Sequence, residues 1–111
     1  MSTITMNLYY TGVKGNAQKF AQEMESSGTA AAIRAEEGNL KYNYFISMDD
    51  PETVLLIDSW KDQASLDVHH ASPMMQTIMQ LREKYDLHMR VERYSQEDEA
   101  VSASDASFIR Q

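Results

Sequence analysis

The chain opens with a strict alternation of apolar and polar residues. Between Thr3 and Thr11 the apolar side chains stand at every second position: Ile4, Met6, Leu8 and Tyr10. Successive side chains of a β-strand point to opposite faces, so this period of two predicts a first strand over residues 3–11.

A helical period follows the first strand. Apolar residues recur three or four positions apart from Ala17 to Ala35. The stretch Ser26-Ser27-Gly28 interrupts this pattern, because serine competes for backbone hydrogen bonds and glycine costs about 1 kcal/mol relative to alanine. The pattern predicts a kinked helix or two helices, ending before Gly38, which stands where a helix needs a left-handed cap.

Two further strands surround an acidic turn. The segment Leu40–Met48 alternates, with one predicted apolar face made of Leu40, Tyr42, Tyr44, Ile46 and Met48. Pro51 and the short acidic side chains before it favour a turn. The segment Thr53–Trp60 is apolar on both faces, which predicts a central strand covered on both sides.

The last helical region and the last strand have recognisable boundaries. Asp62 is a good N-cap for a helix carrying His69, while Ser72 and Pro73 suit the start of its continuation. A fourth strand is expected over 87–94, with Leu87, Met89 and Val91 facing inward. Residues 95–111 are small and acidic without periodicity, which predicts a flexible tail.

The order strand, helix, strand, strand, helix, strand predicts an α+β fold. Short hairpins and right-handed crossovers favour a ferredoxin-like βαββαβ domain over residues 1–94, with a four-stranded antiparallel sheet and both helical regions on one face. The apolar residues left on the other face predict a homodimer that covers it.

Composition limits the function. The 111 residues suit one domain, and the net charge of -7 disfavours nucleic acid or an anionic membrane as a partner. No signal-like segment or run of about 20 apolar residues is present, so a soluble cytoplasmic protein is expected. The absence of cysteine excludes disulfides, thiolate nucleophiles and cysteine-based metal sites, and no phosphate loop or metal-spaced cluster is found.

The candidate chemistry lies between Val54 and Pro73. An imidazole at His69 can take a proton from a phenol or an enolisable carbonyl. Asp58 could orient that imidazole, and Trp60 offers a flat wall and an indole N–H donor for a substrate oxygen. A structural role is the alternative for each of them: a packed histidine, a satisfied strand-end carboxylate and a core anchor. His70 lies about 100° further round the helix and is expected at the surface or at a dimer seam.

Three runs of the sequence together resemble a known family: EEGNLKYNYF, DDPETVLLIDSW and LDVHHASPMM. They resemble the antibiotic biosynthesis monooxygenase family of dimeric α+β barrels, over Ile4 to Tyr94. Asp58 stands where the family usually has Glu, Trp60 where it has Trp or Tyr, and His69 where it has His. Asn39 and Tyr42 fall in a matching run.

The resemblance implies an oxygenase that needs no cofactor or metal and oxidises a small aromatic or quinol-type substrate with dioxygen. His69 and Asp58 would be catalytic, and Trp60, Asn39 and Tyr42 would bind the substrate. Relatives also include an isomerase of a small phosphorylated signalling molecule and haem-degrading enzymes, although the spacing of Trp60 and His69 does not suit the latter. An isomerase of a small carbonyl or phosphorylated signalling compound and a non-catalytic ligand-binding dimer remain alternatives.

Overall fold

The computed structural model describes residues 2–96 and 101–110. Its centre is a four-stranded antiparallel sheet in the order β2-β3-β1-β4. The strands are β1 (Thr3–Thr11), β2 (Asn39–Ile46), β3 (Thr53–Trp60) and β4 (His88–Gln96). The helices are α1 (Asn16–Ser26), α2 (Thr29–Arg34), α3 (Gln63–His70), α4 (Pro73–Lys84) and α5 (Ala103–Ala106). The predicted ferredoxin-like α+β fold is confirmed.

The helix breaks where the sequence predicted it would. Gly28 adopts a left-handed φ of 81° between α1 and α2, a conformation that glycine reaches without the Cβ clash of other residues. Gly38 has a φ of 91° and accepts a hydrogen bond from the Lys61 amide at 2.8 Å. This hydrogen bond therefore links the residue before β2 to the residue after β3.

Helices α1 to α4 cover one face of the sheet, and the core lies between these helices and the sheet. Strand β3 shows the alternation directly, since Val54, Leu56, Asp58 and Trp60 are buried while the residues between them are half-buried. Aromatic rings fill the interior, with the centroids of Tyr10 and Phe20 4.8 Å apart. Strand β3 is central as predicted, but within one chain only its helix-side face is fully covered.

The edge strands correct two expectations about burial. Leu40 and Ile46 of β2 are exposed, as is Met48: the strand register shifts at Leu40, Ile46 ends the edge strand, and Met48 lies beyond it. Met89 and Val91 of β4 pair with Tyr10 and Leu8, so they share the helix-side face. They are nevertheless exposed, because β4 is the opposite edge strand.

The predicted tail is partly described. Strand β4 continues to Gln96, and α5 lies within residues 101–110, where Phe108 is exposed. Residues 97–100 and 111 of the predicted tail lie outside the described residues. The division of the chain at residue 94 stays a prediction. Across residues 2–96 and 101–110, no helix combines the length and apolar character required to cross a membrane.

Candidate active site

The end of β3 and the last turn of α3 bring the predicted chemical groups together. Asp58 and Trp60 are two residues apart in β3, so both point to the helix side. Asp62 caps α3 as predicted, because its carboxylate accepts a hydrogen bond from the Ser65 amide at 2.8 Å. This start places His69 on the buried side of α3 and leaves His70 exposed.

Asp58, Trp60 and His69 form one buried cluster. The imidazole of His69 stacks on the indole of Trp60, with ring centroids 4.7 Å apart and planes inclined by 27°. The Trp60 Nε1–H donates to Asp58 Oδ1 at 2.7 Å. Trp60 is 0% exposed, His69 3% and Asp58 6%. The indole N–H that we expected to meet a substrate oxygen is thus already bonded to Asp58.

The carboxylate bonded to His69 comes from another part of the chain. His69 Nδ1 lies 3.0 Å from Oε1 of Glu36, which follows α2. The expectation that Asp58 would orient the imidazole does not match this contact. Sequence reasoning missed Glu36 because its neighbour Glu37 is of the same type, and no periodicity shows which of the two is buried. In the structure their side chains are 12% and 92% exposed.

The predicted substrate-binding residues take different positions. Tyr42 is buried, and its ring centroid lies 6.4 Å from that of His69 in an edge-on arrangement. The Tyr44 hydroxyl donates to the Tyr42 hydroxyl at 3.4 Å. The Asn39 side chain instead donates to the backbone carbonyls of Lys41 and Ser59 at 3.3 and 3.4 Å. Tyr42 therefore joins the cluster, while the amide nitrogen of Asn39 is committed to the sheet edge.

Two further groups extend the polar interior and were not singled out from the sequence. Arg82 of α4 donates to the Tyr10 hydroxyl from Nη2 at 2.9 Å and from Nε at 3.2 Å. The alternation of β1 assigned Tyr10 to the core without a polar role. The side of the sheet that the helices cover thus carries a phenol and a guanidinium beside the imidazole cluster.

The carboxyl group of Asp58 is shifted toward its neutral form. Burial raises its pKa from 3.8 to about 6, against the opposing effects of the nearby His69 and of the Trp60 hydrogen bond. Desolvation disfavours the charged form of a carboxyl group, which explains the direction. Asp58 therefore changes its charge close to neutral pH, unlike an exposed aspartate.

This shift predicts how stability depends on pH. A raised pKa in the folded state means that the native protein binds the proton more tightly, so the stabilisation is complete below about pH 4 and is lost as the pH rises to about 6. The shift corresponds to about 3 kcal/mol. The wild type should therefore lose stability between about pH 4 and pH 6, whereas Asp58→Asn, which cannot titrate at this position, should not lose it. The free energy of unfolding of the variant minus that of the wild type should rise over this interval in urea titrations. A difference that stays flat from pH 4 to pH 7 would contradict the assigned pKa.

Two hollows adjoin the interior. One of about 440 Å³ lies beside the cluster and is lined by Glu36, Glu37, Lys61, Asp62, Ala64, Ser65, Val68, Ser72 and Met74. Another of about 640 Å³ lies between α1 and β2, with Tyr44 and Arg34 in its wall. Both volumes fall in the range of small-molecule sites. Within the described ranges, no three His, Asp or Glu side chains are grouped closely enough to hold a metal ion.

A protein-family model and a bacterial protein of similar sequence match this chain. A family model described as antibiotic biosynthesis monooxygenase matches residues 3–81. The Bacillus subtilis (strain 168) protein named "Putative monooxygenase YcnE" is 35% identical over 73 residues, which make up 66% of this chain and 75% of that protein. Glu36, Asp58, Trp60 and His69 all lie within this range of the chain.

Solved structures share the fold at low sequence identity. A protein of unknown function from Bacteroides thetaiotaomicron superposes with a TM-score of 0.74 and 18% identity, over 85% of this chain and 97% of that one. SnoaB, a cofactor-independent oxygenase from Streptomyces nogalater, superposes with a TM-score of 0.73 and 14% identity, over 89% and 97% of the two chains. At these identities the likeness shows the fold alone.

Proposed function

Because this chain belongs to the antibiotic biosynthesis monooxygenase family, we propose that it oxidises a small aromatic or quinol-type substrate with dioxygen. The proposed reaction needs neither flavin nor metal, since an electron-rich aromatic anion can itself reduce dioxygen. The observation that carries the proposal is the desolvated imidazole of His69, stacked on Trp60 and bonded to a carboxylate. A buried acid–base group of this kind suits proton abstraction.

The proposed reaction begins with proton transfer. Nε2 of His69 takes the proton of a phenolic hydroxyl, and the electron pair stays on the substrate as an aryl oxide. One electron then passes to dioxygen, and the two radicals combine to form a C–O bond. The O–O bond breaks with loss of water, which carries away the ring hydrogen and the proton returned by the imidazolium. For a naphthol, the aromatic compound and one dioxygen give one quinone and one water.

The residues around His69 suggest how the substrate is held. We propose that its ring packs against the Trp60–His69 stack and that Tyr42 contributes the edge of its ring. A contact from Asn39 would use its amide oxygen, because its nitrogen donates to backbone carbonyls. Asp58 adds, beside the imidazole, a charge that varies near neutral pH. These roles are proposals for the residues predicted from the sequence.

Access to the imidazole requires a side chain that can move. We place the access at the hollow of about 440 Å³, whose wall contains both Glu36 and Met74. Methionine is unbranched and flexible, so a different rotamer of Met74 would admit a flat ring at low cost. The substrate would then meet His69 away from bulk water.

Oxygen consumption tests the proposed function. The purified protein, treated with a chelator, would be supplied with hydroxynaphthalenes and quinols in an oxygen electrode. We expect saturable oxygen uptake with at least one of these compounds, above its autoxidation rate. Equal turnover of a carbonyl substrate under strict anaerobiosis would instead identify an isomerase. Failure with every compound, together with tight retention of one of them, would indicate a non-catalytic binding protein.

We further propose that two copies of the chain pack through the open sheet face. The strand register places the side chains of Asn43, Phe45, Leu55, Ile57, Asn7 and Tyr9 on this face. Phe45 is exposed, and Leu55 and Ile57 are half-buried in the single chain. Each 100 Å² of apolar surface buried would contribute about 2.5 kcal/mol to association.

A charge at the centre of this face is expected to separate the two copies. Ile57→Glu would place a carboxylate in the proposed interface, where an unpaired buried charge costs several kcal/mol. Sedimentation velocity at micromolar concentration should show a dimer for the wild type and a monomer for the variant. The control is Val13→Glu, which adds the same charge at an exposed turn and should remain dimeric. A monomeric wild type would contradict the proposed dimer.

A further inference from the structure

The contact between His69 and Glu36 has a geometry that can select one form of the imidazole. Nδ1 of His69 is 3.0 Å from Oε1 of Glu36, and the two side chains are 3% and 12% exposed. An ionised carboxylate can only accept hydrogen bonds, so it favours the tautomer that carries its proton on Nδ1. The opposite nitrogen, Nε2, is then unprotonated and basic.

Glu36 is held in place by the backbone around it. Its amide donates to the Ile33 carbonyl at 3.0 Å, and its carbonyl accepts from the Asn39 amide at 3.1 Å. Two residues on, a Cβ on Gly38 would lie 2.2 Å from Oγ of Ser65, which is one helical turn before His69. The missing side chain at Gly38 therefore lets α3 approach the loop that carries Glu36.

The carboxylate of Glu36 has no competing cation among the described residues. Lys61, which lines the same hollow, pairs with Glu37 at 3.2 Å instead. The second oxygen of Glu36, Oε2, is buried and has no hydrogen-bond partner within the part of the chain that the structure describes. The His69 imidazole is thus the group that pairs with the Glu36 carboxylate. Asp58, in contrast, accepts its hydrogen bond from Trp60.

We propose that Glu36 is the positioning residue of this site: it holds the proton on Nδ1 of His69 and thereby leaves Nε2 as the base. This inference rests on the proposed function and assigns to Glu36 the orienting role first expected of Asp58. When Nε2 takes the substrate proton, the electron pair stays on the substrate and Nδ1 keeps its own proton. The resulting imidazolium is stabilised by the carboxylate beside it, as in other carboxylate–histidine pairs.

The tautomer can be measured without any substrate. The protein would be labelled with nitrogen-15 in its histidine side chains. Nitrogen-15 NMR, recorded at a pH at which the imidazole is neutral, distinguishes a protonated Nδ1 from a protonated Nε2. The His69 signals would be assigned by their loss in His69→Ala. We expect the wild type to carry the proton on Nδ1. In Glu36→Ala the proton should move mainly to Nε2, and in Glu36→Gln, which keeps the side-chain shape, the two tautomers should mix.

Kinetics supply the second measurement. We expect Glu36→Gln to lower kcat by about 100-fold while KM changes little, because Glu36 acts through His69 rather than on the substrate. The matched control is Glu83→Gln, which removes an exposed carboxylate of α4 away from both hollows and should leave both tautomer and kcat unchanged. A wild-type proton on Nε2, or a tautomer unaffected in both Glu36 variants, would overturn the inference. Absence of oxygen uptake by the wild type with every compound would instead overturn the proposed function, and the tautomer measured by NMR would not depend on that result.

Discussion

Replacing His69 with alanine is expected to lower kcat by about 10²–10⁴-fold, the range that a positioned general base contributes. The imidazole is the basic side chain stacked on Trp60 in the buried cluster, and it makes a hydrogen bond to a carboxylate that can stabilise its charged form. The loss should appear in kcat/KM as well, because the proton transfer occurs only on the way to the transition state. Steady-state oxygen uptake with the best hydroxynaphthalene would measure it.

The adjacent residue provides the control for this substitution. His70→Ala removes the same group one position along α3, where the side chain is exposed, and should change kcat by less than about threefold. Circular dichroism would verify that both variants are folded. If His69→Ala turns over as fast as the wild type, the imidazole is a packing residue and the base lies elsewhere.

Replacing Trp60 with alanine should produce the largest loss of stability, about 3–5 kcal/mol. The indole is fully buried, stacks on His69 and donates the hydrogen bond to Asp58. Its removal leaves a cavity and deprives a buried carboxyl group of its donor, and both effects act in the same direction. Urea unfolding near pH 7 would give the free energy difference.

Two further variants help to interpret the loss of stability in Trp60→Ala. Trp60→Phe retains a ring against His69 but removes the N–H donor, so it should cost less than the alanine variant. Val68→Ala, on the exposed side of α3, should change the free energy of unfolding by less than about 0.5 kcal/mol. A loss below about 1 kcal/mol for Trp60→Ala would contradict the role of the indole as the anchor of the cluster.

The secondary structure was predictable because it depends on local patterns. The alternation in β1, the weak point at Ser26-Ser27-Gly28 and the cap at Asp62 each follow from properties of neighbouring residues, and each is confirmed. Burial at the sheet edges was less predictable. Met89 points to the helix side, as its alternation implies, yet it is exposed because coverage depends on how far the helices extend over the sheet.

The sequence predicted which residues meet at the candidate site better than it predicted the hydrogen bonds between them. The spacing of Asp58, Trp60 and His69 placed them at one strand-to-helix connection, and they do meet. Which carboxylate bonds the imidazole could not be read from that spacing, because Glu36 reaches His69 through a tertiary contact across 33 residues. The sequence also places Asp58 and Trp60 on one face of β3, but it does not show that the indole N–H of Trp60 donates to Asp58 and is therefore not free for a ligand.

Isotope labelling is the most direct test of cofactor-independent oxygenation at this site. Chelator-treated protein would convert a hydroxynaphthalene under ¹⁸O₂, and the product quinone would be analysed by mass spectrometry. We predict one ¹⁸O atom in each quinone, the other in water, and formation of this product by His69→Ala that is at least about 100-fold slower. A quinone whose new oxygen comes from solvent water, or a labelled product formed equally well by His69→Ala, would contradict it.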